Sequence, residues 1–202
     1  MPNLTKKNLL RARKMLFDVI ELLDKNDIIY HLEGGTLLGL VRDEELLPWD
    51  HDVDISIPFH EVEKFNRILI KLYKKGYKVS KRKSGCNTGP FIKGQQTLFK
   101  VKKFVPSIIK FLFPWYKKQY IVLDIFVKAH DIDFTYWQAQ GKLLRVDNKY
   151  YKSYETIKYR TAILKVPNAY KEYLTKKYGD WTIPIREWEC GKDEKTICKI
   201  VC

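Results

Sequence analysis

The chain has 202 residues, 45% of them hydrophobic, which is enough to close a core and too many for general disorder. Its net charge of +14, carried mostly by lysine, favours anionic partners (nucleotides, polyphosphate, nucleic acid or acidic lipid) without choosing among them. No uncharged apolar run is long enough to cross a bilayer, and the charged start lacks the apolar segment of a signal peptide, so a cytoplasmic protein is expected.

Residues 3–25 predict an amphipathic helix, with Leu9, Met15, Leu16, Val19, Ile20, Leu22 and Leu23 on one broad stripe. A short strand follows at 28–32, then a turn at Gly34-Gly35, with Thr36 as the cap of a short helix running through Val41. Asp43-Glu44-Glu45 reads as a charged bend. Residues 53–57 predict a strand closed by Pro58, and 60–75 a second amphipathic helix that Gly76 ends in a left-handed cap. Strands are expected at 77–81 and 97–101 around a loop at 84–90, and the clearest buried strand at 120–127. Beyond it come a hairpin or turn-rich insert at 131–142, a strand at 163–166 and a helix at 168–177 ending at Gly179. Nothing forces a boundary, so one α+β domain over 1–202 is expected: an N-terminal helix at 3–25, a catalytic core at about 28–130 and a helical C-terminal part at about 150–202. Cys86, Cys190, Cys198 and Cys202 fit no common zinc spacing and are expected as reduced thiols.

Asp50, Asp52 and Asp54 occupy alternate positions of a strand, so their carboxylates point to one side. Like charges so crowded need a cation, and hard oxygen ligands suit Mg²⁺, with Mn²⁺ as the alternative. Asp50 is read as orienting its neighbours rather than as a direct ligand. Asp124 is the lone charge in an otherwise apolar strand, where a carboxylate is costly unless it is paired or metal-bound. Gly34 and Gly35 let backbone amides approach a phosphate at a helix start, and Arg42 offers a planar fork to phosphate oxygens or a salt bridge to Asp50 or Glu45. Together these parts suit transfer of a phosphorus-centred group from a nucleotide.

The stretches 34–42 and 47–55, Leu123-Asp124-Ile125-Phe126, Val166-Pro167-Asn168 and Tyr178-Gly179-Asp180-Trp181 resemble the LicD family. This family comprises phosphocholine transferases of bacterial surface polysaccharides and is related to the fukutin-type ribitol-phosphate transferases. The resemblance implies a nucleotidyltransferase-like mixed β-sheet flanked by helices. It also implies transfer of a phospho-alcohol from a CDP-linked donor, such as CDP-choline, to a hydroxyl of a glycan or lipid-linked sugar acceptor, with release of CMP. The family's metal-binding and catalytic aspartates fall on Asp52, Asp54 and Asp124, its donor-phosphate turn on Gly34, Gly35 and Thr36, and a family arginine on Arg42. Two departures stand out: Asp43-Glu44-Glu45 replaces a basic residue and a glycine, and His51 stands where aspartate is frequent. One rival reading passes a nucleoside monophosphate to the acceptor. Another makes the chain a non-catalytic basic nucleic-acid-binding protein, which leaves the aspartates without a purpose, so nucleic acid is not the expected partner. Residues 104–115, apolar with flanking lysines, are read as a lid or core-covering helix, or as a peripheral contact with the inner face of a membrane.

Overall fold

The strand expected to be most buried is the one on which the sheet is built. The computed structural model describes residues 3–4, 6–105, 107–112, 121–185 and 188–201. In chain order the helices are α1 (Lys6–Asp24), α2 (Gly34–Arg42), α3 (Val62–Lys74), α4 (Ser107–Leu112), α5 (Tyr170–Tyr178) and α6 (Cys190–Asp193). The strands are β1 (His31–Leu32), β2 (Asp52–Pro58), β3 (Tyr77–Lys83), β4 (Gln96–Lys103), β5 (Val122–His130), β6 (Phe134–Ala139), β7 (Lys142–Asp147), β8 (Tyr154–Tyr159), β9 (Ala162–Pro167) and β10 (Ile197–Ile200). β5 runs parallel to β2 along one edge and antiparallel to β4 along the other, and its last residues hand over to β6. β1 borders β2, β3 borders β4, and β6–β7–β10 extend the sheet antiparallel. The fold is α+β, a mixed sheet with helices around it.

Alternation along β2 and β5 sorts their side chains. Val53, Ile55, Ile57, Leu123, Ile125 and Val127 are fully buried in one core with Leu16, Val19 and Leu23 of α1 and Phe65 of α3. α1 packs on both strands and against α3. The other face carries Asp52, Asp54 and Ser56 of β2 beside Asp124, Phe126 and Lys128 of β5.

Several expectations shift. The strand at 28–32 contracts to His31–Leu32, the only part that pairs with β2. α2 begins at Gly34 with Glu33 in the capping position, so Thr36 lies inside the helix and does not cap it. Gly76 and Gly179 do end their helices with positive φ, at 82° and 78°. The insert at 131–142 is a regular hairpin, β6–β7, turned through Gln140 and Gly141, both at positive φ. The C-terminal part is not mainly helical. It holds the separate two-stranded sheet β8–β9 as well as β10 and helices α5 and α6. β8 escapes a hydrophobicity reading because Tyr-Glu-Thr-Ile-Lys-Tyr is polar and largely exposed. Cys86 is disulfide-bonded, against the expectation of a reduced thiol, while Cys198 is free. Cys202, Tyr120 and residues 113–115 of the apolar segment lie outside the described residues.

The Asp43-Glu44-Glu45 bend departs from the family pattern but is firmly held. Asp43 and Glu45 donate backbone N–H bonds to the Gly39 carbonyl, at 2.8 and 3.3 Å, and Glu44 takes the left-handed conformation at φ 54°. A Cβ on Gly39 would lie 2.6 Å from the Glu45 carbonyl oxygen, so only glycine lets the bend fold back this closely. The Glu45 carboxylate then accepts from Arg13 of α1, from the Tyr159 hydroxyl of β8 and from Arg160. Burial opposes its charge, but the bonds from Arg13, Tyr159, the Leu46 amide and Arg160 prevail and bring its pKa down to about 2.

Removing this carboxylate strands four donor groups, Arg13, Tyr159, Arg160 and the Leu46 amide, so Glu45→Ala is expected to cost about 2–4 kcal/mol in urea unfolding. The folded pKa lies below the ordinary 4.5, so this contribution is complete above that pH and fades as pH falls through about 2. The stability gap between parent and variant is expected to close over that interval.

Candidate active site

Register brings the acids together. Asp54 on β2 stands directly opposite Asp124 on β5, and Asp124 stands opposite Lys100 on β4, so three charges form one row across three strands. Asp52 lies two residues before Asp54 and shares its face. Asp52, Asp54 and Asp124 each present a carboxylate oxygen within 4.8 Å of the others, the first two half-buried and Asp124 buried. Carboxylates of two adjacent strands thus converge on one point. Asp50 is not part of this group. It hydrogen-bonds to Asp52, and its Oδ1 accepts the His51 amide at 2.8 Å.

The helix start is built around these acids. Glu33 N–H donates to the Asp54 carbonyl at 3.0 Å, and Asp54 N–H donates to the Thr36 hydroxyl at 2.8 Å, which stitches α2 to β2. A Cβ on Gly34 would stand 2.4 Å from Asp54 Oδ2, and one on Gly35 2.0 Å from Asp50 Oδ2. A side chain at either position would displace the carboxylate that leans on it, and Gly34 also holds φ at 54°, a conformation that other residues rarely adopt. Thr36 is buried and fixes the Asp54 backbone.

Crowding perturbs these groups as electrostatics requires. Burial, then the neighbouring Asp50 and Asp124 charges, push Asp52 up to about 7. Asp54 is driven well above the usual carboxylate range by burial and by Asp52, Asp50 and Asp124. Burial also raises Asp50, although the His51 amide opposes it. Lys100 Nζ lies 2.5 Å from Asp124 Oδ2, while Asp124 Oδ1 is buried with no hydrogen-bond partner. An orphaned buried oxygen in a ring of acids is what a divalent cation would satisfy, so the donor set fits a hard metal ion.

A cleft of about 680 Å³ opens over this row. Arg42, Arg82, Lys100 and Lys177 line it, as do Trp49, Tyr178 and Trp181. Arg42 forms a fork to Asp43 at 2.8 and 2.9 Å, not to Asp50 or Glu45, and its remaining nitrogen reaches the Trp181 carbonyl at 3.4 Å. Lys177 pairs with Glu194 at 3.0 Å.

Sequence reasoning missed Lys100, Glu33 and Lys177. The signal for Lys100 was present: it interrupts Leu98-Phe99-Lys100-Val101 as Asp124 interrupts its own strand, and lone opposite charges in two apolar strands invite pairing. Glu33 is fully buried and accepts from Ser56 at 2.9 Å, Tyr151 at 2.5 Å and Tyr173 at 2.8 Å. It faces Lys128 at 3.1 Å. Burial opposes its charge, but Lys128, Lys177 and the two tyrosines hold its pKa down. Partners separated from it by over a hundred residues could not be read locally.

Residues 27–169 match a family model described as LicD/FKTN/FKRP, nucleotidyltransferase domain. An uncharacterized protein of Rickettsia typhi is 38% identical over 80 residues, 40% of this chain and 26% of that protein. The ribitol 5-phosphate transferase FKRP of Homo sapiens is 43% identical over 44 residues, 22% of this chain and 9% of that protein. The lipopolysaccharide cholinephosphotransferase LicD of Haemophilus influenzae is 39% identical over 44 residues, 22% of this chain and 17% of that protein. The chain therefore aligns with about a quarter, or less, of the length of these relatives.

Folded Asp52 and Asp54 retain protons that unfolded aspartates, with an ordinary pKa of 3.8, release. The metal-free protein is therefore expected to gain stability as pH falls from about 7 toward 4, and to lose it as pH rises through the folded pKa. In EDTA at neutral pH, Asp54→Asn is expected to be more stable than the parent by about 1–3 kcal/mol. The same variant should lose Mn²⁺ binding by electron paramagnetic resonance. A destabilised variant that still binds Mn²⁺ would contradict the assignment.

Proposed function

The chain belongs to the LicD/FKTN/FKRP nucleotidyltransferase-domain family, and on that premise we propose that it transfers a phospho-alcohol from a CDP-linked donor to a hydroxyl of a glycan or lipid-linked sugar. The observation that carries this reading is the aspartate row, with Asp54 opposite Asp124, Asp52 beside them, and the orphaned Asp124 Oδ1. Asp52, Asp54 and Asp124 would hold Mg²⁺ or Mn²⁺. When bound, the cation supplies the positive charge that neutralises the donor diphosphate and favours attack on phosphorus.

The chain's own residues supply the rest. The donor diphosphate lies over the row, next to the N-terminus of α2 at Gly34 and Gly35, where backbone amides and the helix dipole favour negative charge. Thr36 works one step back, by fixing Asp54. Arg42, held flat by Asp43 and Trp181, presents its guanidinium to the donor from the cleft wall. Trp49 and Trp181 give the cleft aromatic faces for the cytosine base. The acceptor hydroxyl oxygen attacks the β-phosphorus, the bond from that phosphorus to the bridging oxygen breaks, and CMP leaves with that oxygen. A carboxylate of the row takes the hydroxyl proton.

Incubation with CDP-choline or CDP-ribitol, a sugar acceptor and Mg²⁺ is expected to release CMP. Release of pyrophosphate from a nucleoside triphosphate instead would favour nucleotidyl transfer. Asp52→Asn and Asp124→Asn are expected to lower kcat by about 10³-fold or more while the far-ultraviolet spectrum is kept. Arg42→Ala is expected to raise the donor KM about tenfold or more with a smaller change in kcat.

Among the described residues no helix is long and apolar enough to cross a membrane. We propose that α4 instead touches a membrane surface, because Ile108, Phe111 and Leu112 are exposed and follow Lys102 and Lys103 within a few residues of chain. Phe111→Asp is expected to reduce co-sedimentation with anionic vesicles. Unchanged sedimentation would remove the contact from the model of action.

A further inference from the structure

The aspartate-bearing face of the sheet continues past the catalytic row. Alternate residues of β2 run Asp52, Asp54, Ser56, Pro58, and those of β5 run Asp124, Phe126, Lys128, His130. The aspartates stand where the two strands begin. Pro58, Lys128 and His130 stand where they end, and there they line a second cavity of about 710 Å³. Strand rise places Lys128 about 13 Å beyond Asp124. The buried Glu33–Lys128 pair forms the wall between the two spaces, since Glu33 lines the catalytic cleft and Lys128 lines the second cavity.

The polar lining of this cavity includes one buried side chain without a proper partner. His31 is 1% exposed and lines it, and neither ring nitrogen makes a hydrogen bond of normal geometry, with the Ser153 backbone as a weaker contact. Burial lowers its pKa to about 4, so the ring is neutral at physiological pH, with one N–H to donate. Lys128 Nζ sits 3.4 Å from the centre of the Trp137 ring and 3.1 Å from Glu33, which answers its charge at the wall. Lys152, His60 and His130 are exposed around the mouth. The acid in the lining, Asp131, is already engaged: its Oδ1 accepts the Asp133 and Phe134 amides and its Oδ2 the Tyr136 hydroxyl. The Tyr151 hydroxyl is given to Glu33, and Tyr154 is 45% exposed with its ring beside His31. The donors left for a ligand are therefore the His31 ring and the exposed Lys152, with the Tyr154 ring as an aromatic face beside them.

We propose that this cavity is a second binding site, distinct from the aspartate centre, for a sugar-sized ligand that carries a phosphate or carboxylate. His31 and Lys152 donate to the anionic group, and Tyr154 offers its ring to the apolar face of the sugar. The buried imidazole that the fold leaves without a proper partner is the group such a ligand satisfies.

The chain contains four histidines: His31, His60 and His130 at this cavity, and His51 at the catalytic cleft. The 202-residue chain labelled with ¹⁵N-histidine is titrated, without divalent metal, with glucose 6-phosphate, inorganic phosphate and glucose in turn. Glucose 6-phosphate is expected to move the His31 and His130 ring signals saturably while His51 stays still. Inorganic phosphate should give a weaker version of the same pattern, and glucose alone should not match it. Lys152→Glu, on an exposed side chain, is expected to raise the dissociation constant at least about tenfold. Shifts confined to His51, an unchanged titration in Lys152→Glu, or equal shifts with glucose would each overturn the proposal. The readout needs no turnover, so its failure is distinguishable from failure of the transferase reading.

Discussion

Like-charge repulsion among carboxylates on adjacent strands is the constraint to which the rest of this molecule answers. Asp52, Asp54 and Asp124 are fixed on one face by the parallel β2–β5 register, and neither strand can slip without turning its apolar residues out of the α1 core. The fold therefore accommodates the repulsion instead of avoiding it. Glycines at 34 and 35 give the acid side chains room, Lys100 neutralises one carboxylate, and protons neutralise others when no cation is present. A site so arranged has stability withheld from it until positive charge arrives.

The wider charge pattern works in the opposite direction. The chain as a whole carries +14, which draws anions toward it, yet the floor of the cleft is acidic. Under the proposed function, an anionic donor alone would meet repulsion at that floor and a divalent ion alone a strongly basic protein, and binding the two together would resolve both conflicts. Glu33 and Lys128 show the same economy at a smaller scale: each buried charge is tolerated because the other, with Ser56, Tyr151 and Tyr173 around the carboxylate, completes its surroundings.

Much of this arrangement is legible in the sequence, for identifiable reasons. Period-two spacing puts Asp52 and Asp54 on one side, and a single acid in the apolar run of β5 announces Asp124. The helices α1 and α3 follow from their apolar stripes, and Gly76 and Gly179 mark where α3 and α5 stop. What remained hidden depends on distant partners. Thr36 looks like a cap by local rules but accepts the Asp54 amide, 18 residues on. Arg42 takes the adjacent Asp43 rather than the acids considered for it, because the bend turns Glu45 away toward Arg13. β8 is polar and exposed, so no hydrophobic rhythm betrays it, and it is recognised only through its pairing with β9. Cys86 follows no spacing rule, and its bonded state comes from tertiary placement.

The Glu45 junction has a practical corollary for anyone dissecting the protein. The bend leading into the aspartate strand is anchored by Arg13 from the first helix and by Tyr159 and Arg160 from the β8–β9 hairpin. A fragment trimmed to the family-matched span, residues 27–169, would retain every acid of the row and still forfeit one of the three anchors, together with the helix that seals the underside of the sheet. The family-matched span thus holds the acids of the row, while the contacts that anchor the bend leading to them reach back into a helix outside that span.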